Sequence, residues 1–248
     1  DVERSRGLGD VYKRQIMDSH QQFKQYDKTK SPKSEKTQKI SGEQYFSATP
    51  SSCDERRTLH VTLRNHETVV QVSNGVFSAS KLDLGTSVLL KHAPKPPENG
   101  KFLDIGCGWG PISIAMGLES PEAEIVAVDV NKRALELTEL NAKNAGLKHI
   151  RTSLVDDALK ENNTLEFNNF DLIWSNPPIR VGKEMLHNIL MTWIPRLKIG
   201  GTAYLVVQKN LGSDSLIPWL AENLGENYSV EKYASSKAVS YTHLRAHE

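Results

Sequence analysis

The chain has 248 residues, a quarter of them charged, and a net charge of only +1 at neutral pH. This length suits one sizeable domain with an appendage, and the balanced charge excludes binding of a polyanion through global charge, so nucleic-acid contact would need a local basic face. No apolar run approaches the ~18 residues of a membrane span and no signal peptide is visible, which favours a cytoplasmic protein that does not enter membranes. Cys53 and Cys107 form no cluster with histidines, so we expect neither a disulfide nor a metal site.

Both ends of the chain look foreign to the fold. Residues 1–16 and 239–248 contain stretches that resemble in-frame translations, in opposite senses, of a transposase adaptor used in sequencing libraries. We therefore expect Met17 to be the true start and the native C-terminus to be missing beyond about Ala238. Residues 17–41 form a polar leader rich in Lys, Gln and Ser that should be flexible, with an RNA-contacting basic arm as the alternative.

Residues 42–99 predict an extension built from a hairpin and a helix. Apolar and polar residues alternate from Arg57 to Ser73 around a polar turn at Asn65–His66, which is typical of two paired strands. One face of this hairpin collects the apolar side chains of Leu59, Val61, Leu63, Val70 and Val72. A short helix is predicted at Thr86–His92, and the prolines that follow it end the helix and mark a domain boundary.

From residue 100 to residue 238 the pattern alternates between strands and helices. The predicted strands are Lys101–Ile105, Glu124–Asp129, Arg151–Val155, Asp171–Ser175, Thr202–Lys209 and Tyr228–Tyr233. The predicted helices are Ile112–Leu118, Lys132–Ala145, Lys183–Leu197 and Ser213–Leu224. Short apolar strands separated by amphipathic helices need crossover connections, so we predict an α/β domain with a mostly parallel sheet. Ligands of such sheets bind at the carboxyl ends of the strands.

A glycine-rich turn closes the first of these strands. Gly106, Gly108 and Gly110 alternate with other residues, Asp104 precedes them by two positions, and Pro111 can begin a helix. A diphosphate site would prefer a later third glycine, and an acid in front would repel an anion. The turn therefore favours a cofactor without phosphates that carries an ammonium group, and S-adenosylmethionine fits this description.

Acidic residues close the next two strands. Asp129 ends the second strand, where a carboxylate can accept hydrogen bonds from both ribose hydroxyls of a nucleoside. Capping of the following helix is its alternative role. Asp156 and Asp157 follow the third strand, and one of them could accept from the adenine amino group, although the sequence does not decide which.

The second chemical motif is a rigid elbow at Asn176-Pro177-Pro178, directly after the fourth strand. Two prolines fix φ near −65° and leave backbone carbonyls free to accept hydrogen bonds. If the Asn176 side-chain oxygen and the Pro177 carbonyl both accept from an exocyclic amine, the lone pair of that nitrogen is released for attack on a methyl group. A purely structural turn is the alternative.

Basic residues flank the presumed substrate mouth at Arg180, Lys183 and Lys209, where they would hold phosphates in position. The hairpin could extend this face through Arg56, Arg57 and Arg64. Aromatic and histidine side chains nearby are assigned to packing; they are Trp174, His187 and Trp193.

The chain resembles the RsmC-like small-domain class I methyltransferases, which are ribosomal RNA guanine-N2 methyltransferases, and their single-domain bacterial relatives. The resemblance is carried by the segments Tyr45–Ser51, Gly75–Ser78, Asp83–Gly85, Asp104–Gly110, Asp129–Asn131, Asn176–Lys183 and Val207–Lys209. It implies a Rossmann-like sheet of seven strands with one antiparallel strand, and here the last strand is expected to be lost or replaced by adaptor sequence. The larger relatives carry a second domain in front. In that position we expect this chain to have only the leader and the hairpin.

The resemblance also implies roles for individual residues. The catalytic motif would be Asn176, Pro177, Pro178 and Ile179. S-adenosylmethionine would contact Asp104, Gly106, Gly108, Gly110, Asp129, Asn131, Asp156, Asp157 and Asn176. The expected function is methylation of an exocyclic amine in RNA, with guanine N2 of ribosomal RNA or of a ribosomal subunit as the target and a monomer as the active species.

Other readings stay open at this stage. The same fold could methylate adenine N6 or a protein glutamine, although relatives with those acceptors usually place Tyr or Phe where this chain has Ile179. A module that binds a cofactor or RNA without turnover is the third reading, and the intact Asp104, glycines and Asn176 argue against it.

Overall fold

The computed structural model describes residues 50, 52–160, 167–177, 182–208, 213–235 and 239–247. The expectations for residues 1–16 and 17–41 lie outside these ranges. No helix within them is both long and apolar enough to span a bilayer.

The predicted hairpin is confirmed. Strand β1 (Arg56–Leu63) pairs antiparallel with β2 (His66–Ser73), with Leu59 opposite Val70. The connecting loop is Arg64–Asn65, one residue earlier than predicted, and Arg64 adopts φ 56°. The Asn141 side chain forms two hydrogen bonds with the backbone of Gln71 in β2. Its Oδ1 accepts from the Gln71 amide at 2.7 Å, and its Nδ2 donates to the Gln71 carbonyl at 2.9 Å. The hairpin is therefore fixed to the main domain through β2.

The main domain alternates strands and helices as predicted. In chain order the hairpin is followed by α1 (Leu84–His92), β3 (Lys101–Ile105), α2 (Pro111–Glu119), β4 (Glu124–Asp129), α3 (Lys132–Asn144), β5 (Ile150–Leu154), α4 (Val155–Ala158), β6 (Phe170–Ser175), α5 (Lys183–Trp193), β7 (Leu197–Gln208), α6 (Ser213–Leu224), β8 (Tyr228–Ser235) and β9 (Val239–Ala246). The seven-stranded sheet has the order β5-β4-β3-β6-β7-β9-β8, in which β9 runs antiparallel to both neighbours and the other neighbouring pairs are parallel.

Several boundaries differ from the prediction. Val155, predicted to end the third strand, instead begins helix α4, which was not predicted. Two larger differences have physical reasons. Helix α5 ends at Trp193 rather than Leu197, because Pro195 has no N–H to continue the helix and a short 3₁₀ turn, Ile194–Arg196, replaces it. Strand β7 begins five residues earlier than predicted, and its first part pairs with Phe170 across a register shift in β6. Such an irregularity interrupts the alternation from which a strand is recognised.

The last strand of the chain, β9, lies between β7 and β8 in the sheet and falls within the segment that resembles adaptor sequence. Leu244 and Ala246 of this strand are buried, so the backbone and part of the apolar pattern fit the sheet. Thr242 Oγ1 and His243 Nε2 are buried without a hydrogen-bond partner among the described residues, which is unusual for polar groups inside a protein. The foreign origin of residues 239–248 stays a prediction.

The strand register brings the two chemical motifs to the same edge of the sheet. Ile105 at the end of β3 lies opposite Ser175 at the end of β6 and opposite Val128 near the end of β4. The Ser175 hydroxyl donates to the Ile105 carbonyl at 2.7 Å, which locks the two strand ends together. Below this edge Trp174 is fully buried, in agreement with its predicted place in the core.

Candidate active site

The glycine-rich turn folds tightly over the edge of β4. The Gly106 and Cys107 amides donate to the Val128 carbonyl at 2.8 and 3.1 Å. Gly110, which begins α2, has φ 93°, and a Cβ added there would meet the Thr138 side chain at 3.0 Å. Gly108 has φ 58°, and a Cβ there would meet nothing within 4 Å. The turn thus combines one glycine that is packed closely with one that borders open space.

Asp104 lies buried beneath this turn. Its Oδ2 accepts from the Ser113 amide at 3.0 Å and from the Ser113 hydroxyl at 2.6 Å, whereas no described residue donates to Oδ1. Burial raises the pKa of this carboxyl to about 7, with a small contribution from the nearby Asp129 charge, although the Ser113 hydrogen bonds oppose the shift. A buried acid with one unpartnered oxygen is suited to meet a cation.

Asp129 stands at the partly exposed rim where β4 ends. Its Oδ2 accepts from the Gly108 amide and its Oδ1 from the Asn131 amide, both at 2.9 Å, so the carboxylate ties the glycine-rich turn to the following loop. Burial raises the pKa of Asp129, and these amides oppose the rise. Asn131 rather than Asp129 caps helix α3, since its Oδ1 accepts from the Arg133 amide. Each Asp129 oxygen keeps a second lone pair for a ligand hydroxyl.

The other predicted cofactor residues are placed differently. Asn131 is buried, and because its Nδ2 donates to the Gly75 carbonyl at 2.7 Å, we expect it to position that loop rather than to touch a ligand. Asp156 and Asp157 lie in the first turn of α4, at the carboxyl end of β5; Asp156 is exposed, whereas Asp157 is partly buried and forms an ion pair with Lys160. Neither lines the cleft described below, and the choice between them stays open.

Asn176 leaves the end of β6 with its amide orientation fixed. Its Nδ2 donates to Asp83 Oδ2 at 2.8 Å and to Thr86 Oγ1 at 3.1 Å, which engages both amide hydrogens. Among the described residues no donor reaches Asn176 Oδ1, so the oxygen end is left to accept from a ligand. Asp83 and Thr86 were not predicted as partners of this amide. An acid directly before a helix start is a capping signal, but that signal indicates only the cap and not the contact with Asn176.

One cleft joins the two motifs. It encloses about 340 Å³ of empty space, part of which is open solvent, and it is lined by the turn Gly106–Trp109, by Asn176 and Asp83, and by Phe77. Trp109 is buried and donates its indole N–H to the Ser78 carbonyl at 3.3 Å, whereas 42% of the Phe77 surface is exposed. The amide and the glycine-rich turn therefore face a common space with an aromatic side chain at its mouth.

The predicted basic face is only partly described. Lys183 is exposed at the first residue of α5, and Arg57 is exposed on the hairpin. Arg56 contacts Asp54 and Glu136. Pro178, Ile179, Arg180 and Lys209 lie outside the described residues.

Arg64 corrects the prediction of an RNA-facing side chain. It donates to the Leu90 and Ala93 carbonyls at 3.1 and 3.0 Å and lies 3.4 Å from Glu119, with only 15% of its side chain exposed. These contacts point it inward, where it joins the hairpin to α1 and α2. Within the described ranges no three His, Cys, Asp or Glu side chains are grouped as a metal site.

Comparison with known families gives a match over most of the chain. Residues 67–237 match the family model described as Methyltransferase small domain. A Bacillus subtilis protein designated uncharacterized protein YbxB is 34% identical over 190 residues, which span 77% of this chain and 93% of that protein. The ribosomal RNA small subunit methyltransferase C of Shewanella amazonensis is 33% identical over 177 residues, which span 68% of this chain and 50% of that protein. The chain thus spans about half the length of this curated methyltransferase.

A solved structure shares the fold. A T. thermophilus 16S rRNA N2 methyltransferase (RsmC), solved with AdoMet and guanosine, superposes with a TM-score of 0.64 at 22% identity, covering 80% of this chain and 52% of that one. Together with the strand order, this similarity confirms the class I methyltransferase fold that was predicted from the sequence.

Proposed function

Because the chain belongs to the methyltransferase small-domain family, we propose that it methylates the exocyclic amine of an RNA base, with guanine N2 of ribosomal RNA as the target. The observation that carries this proposal is the fixed amide of Asn176, which lines a cleft shared with the glycine-rich turn and whose oxygen has no donor among the described residues. An amide held in this way can accept a hydrogen bond from an amine but cannot easily turn its own NH₂ toward it.

S-adenosylmethionine is the cofactor of this family, as predicted from the sequence. Gly106 and Gly108 of the turn line the cleft, and the two acids that support the turn, Asp104 and Asp129, lie next to this lining rather than in it. Oδ1 of Asp104, which has no donor among the described residues, is suited to the ammonium group of the amino-acid end, directly or through a bound water. The free lone pairs of Asp129 suit ribose hydroxyls, and the open space at Gly108 allows a ligand to approach the backbone closely. When bound, the cofactor supplies an electrophilic methyl group on a sulfonium sulfur.

The protein's contribution to the reaction is orientation of the acceptor amine. The lone pair of an exocyclic amine is delocalised into the ring, which makes the nitrogen a weak nucleophile. Hydrogen bonds from its two protons to Asn176 Oδ1 and to the Pro177 carbonyl would draw the nitrogen toward tetrahedral geometry and release the lone pair. Positioning and preorganised acceptors of this kind supply large rate enhancements without a strong general base. The extra proton leaves the nitrogen after methylation.

An aromatic side chain at the mouth of the cleft supports a planar substrate. Sequence-specific RNA-binding proteins often stack splayed bases on exposed aromatic rings, and Phe77 offers such a surface beside Asn176. The exposed Arg57 and Lys183 carry charge suited to phosphates of the same strand. The name of the Shewanella relative also supports ribosomal RNA as the substrate.

Methyl transfer from radiolabelled S-adenosylmethionine tests the proposal. Total RNA, free ribosomal RNA and isolated ribosomal subunits are offered as acceptors, and the labelled RNA is digested to nucleosides. The proposal predicts label in N2-methylguanosine that depends on Asn176. Label in N6-methyladenosine or in protein glutamine would show that the acceptor is not guanine N2. If the protein binds the cofactor but transfers no methyl group to any acceptor, the enzymatic account is contradicted.

A further inference from the structure

The start of helix α1 holds the Asn176 amide from one side. Asp83 caps this helix, and its Oδ2 accepts from the Gly85 amide at 2.7 Å and the Thr86 amide at 3.3 Å as well as from Asn176 Nδ2 at 2.8 Å. Thr86 Oγ1 accepts the second amide hydrogen at 3.1 Å. Rotating the amide by 180° would break the bond to Asp83 and place the Asn176 oxygen against the Asp83 carboxylate, which can only accept. The helix start therefore determines which end of the amide faces the cleft.

Gly85 gives the amide its room. A Cβ at this position would lie 2.9 Å from Asn176 Oδ1 and 2.9 Å from Asp83 Oδ2, which is closer than real Cβ contacts, and 3.0 Å from Asn176 Nδ2, which is at the tight end of such contacts. The backbone itself does not require glycine here, because Gly85 is not among the residues with positive φ. Glycine inside a helix costs about 1 kcal/mol relative to alanine. Close contact with the amide is thus the physical reason for a glycine at this helix position.

We propose that Asp83, Gly85 and Thr86 are positioning residues for catalysis, which orient the Asn176 oxygen toward the acceptor amine. This inference rests on the proposed function, because it assigns the amide oxygen to the reacting nitrogen. The three residues act through Asn176: Asp83 and Thr86 hold the amide hydrogens, and Gly85 allows the amide plane to lie against the helix. An amide that is displaced or turned would offer the substrate amine a poorly aligned acceptor or a competing donor. Misplacement of about 1 Å can reduce a rate by about 100-fold.

Gly85→Ala is the most direct test, because it introduces the conflict with the Asn176 amide and with the Asp83 oxygen that holds it. We expect kcat for methyl transfer to fall about 100-fold and cofactor Kd to stay within twofold. Ser87→Ala is the matched control on the same helix, since the Ser87 hydroxyl donates to the Asp83 backbone carbonyl and does not contact Asn176. Its kcat should stay within threefold of the wild type. A Gly85→Ala enzyme as active as the wild type would overturn the inference.

A second pair of variants covers the case in which Gly85→Ala fails to fold. Thr86→Val keeps the shape of the buried side chain but removes the oxygen that accepts from Asn176, and we expect kcat to fall about five- to tenfold, the value of one hydrogen bond. Thr86→Ser keeps the oxygen and should restore activity. Equal activity of the two variants, or a loss of cofactor affinity as large as the loss of kcat, would refute the positioning role. A wild-type protein without methyl transfer would instead refute the proposed function.

Discussion

Cofactor binding should depend on pH through Asp104. In the free protein burial holds the pKa of this carboxyl near 7, and Oδ1 has no donor among the described residues. A bound ammonium group favours the ionised form, so binding below pH 7 must release the proton of Asp104. With a pKa of about 7, the carboxyl is about 3% ionised at pH 5.5 and about half ionised at pH 7. If only the ionised form binds the cofactor, Kd falls about 15-fold over this interval.

Titration calorimetry with S-adenosylmethionine measures this linkage. Repeating the titration at pH 7 in buffers of different ionisation enthalpy should show release of about half a proton per cofactor bound. Asp104→Asn is the matched variant, because its carbonyl oxygen can still accept from Ser113 but it cannot ionise. The Kd of this variant for the cofactor should not depend on pH. Because both proteins carry the same histidines, comparing the two removes any contribution of those side chains. A wild-type Kd that does not change with pH, or an equal slope in both proteins, would refute the assignment.

The raised pKa of Asp104 also determines how this carboxyl changes the stability of the cofactor-free protein with pH. The folded protein keeps a proton on Asp104 up to about pH 7, whereas the unfolded chain releases it near the ordinary value of 3.8. Folding therefore binds a proton between these values, and this carboxyl lowers the free energy of unfolding as the pH rises from about 4 to 7. Above pH 7 the contribution is constant. Chemical denaturation of wild type and Asp104→Asn should differ least near pH 4.

Three further substitutions test separate parts of the site and its support. Asp129→Ala removes both proposed ribose contacts, so calorimetry should show cofactor Kd rising about 100-fold, and a rise below threefold would speak against the contact. Gly110→Ala places a Cβ 3.0 Å from Thr138 in a residue with φ 93°. The free energy of unfolding measured in urea should fall by about 2 kcal/mol, and an unchanged midpoint of urea denaturation would contradict the close packing. Arg64→Ala breaks the contacts to α1 and Glu119 and should lower the free energy of unfolding by about 2 kcal/mol with cofactor Kd unchanged; undiminished stability would contradict its role in docking the hairpin.

Much of the fold could be predicted from local pattern. The bounds of β3 and β4 match the predicted strands, because each is a short apolar run that ends at a glycine or an acid. The common position of Asn176 and the glycine-rich turn also followed from the sequence, since both motifs close strands of one parallel sheet and such strands expose their carboxyl ends at one edge. The structure adds that the two strands end at the same level, which the sequence alone does not give.

Contacts between distant residues could not be predicted. Asp83 and Thr86 meet Asn176 across about ninety positions of sequence, and nothing in the local pattern indicates that a helix cap also holds a side chain of another strand. Arg64 was expected to extend the basic face for RNA, but it adopts a positive φ in the hairpin loop and donates inward to carbonyls at the end of α1. In both cases tertiary packing determines the role of a residue whose local sequence indicates something simpler.

The activity of Asn176→Ala tests the central claim most directly. The structure holds the Asn176 amide by its hydrogens at the lining of the cleft and leaves its oxygen without a donor among the described residues. The account therefore assigns this amide to the acceptor amine rather than to the cofactor contact that the family resemblance implied. Single-turnover methyl transfer should fall at least about 100- to 1,000-fold in this variant, the loss expected for one preorganised polar contact at a reacting centre, while cofactor Kd by calorimetry stays within twofold. A variant that transfers methyl groups within tenfold of the wild-type rate, or one that loses cofactor affinity in proportion to rate, would contradict the account.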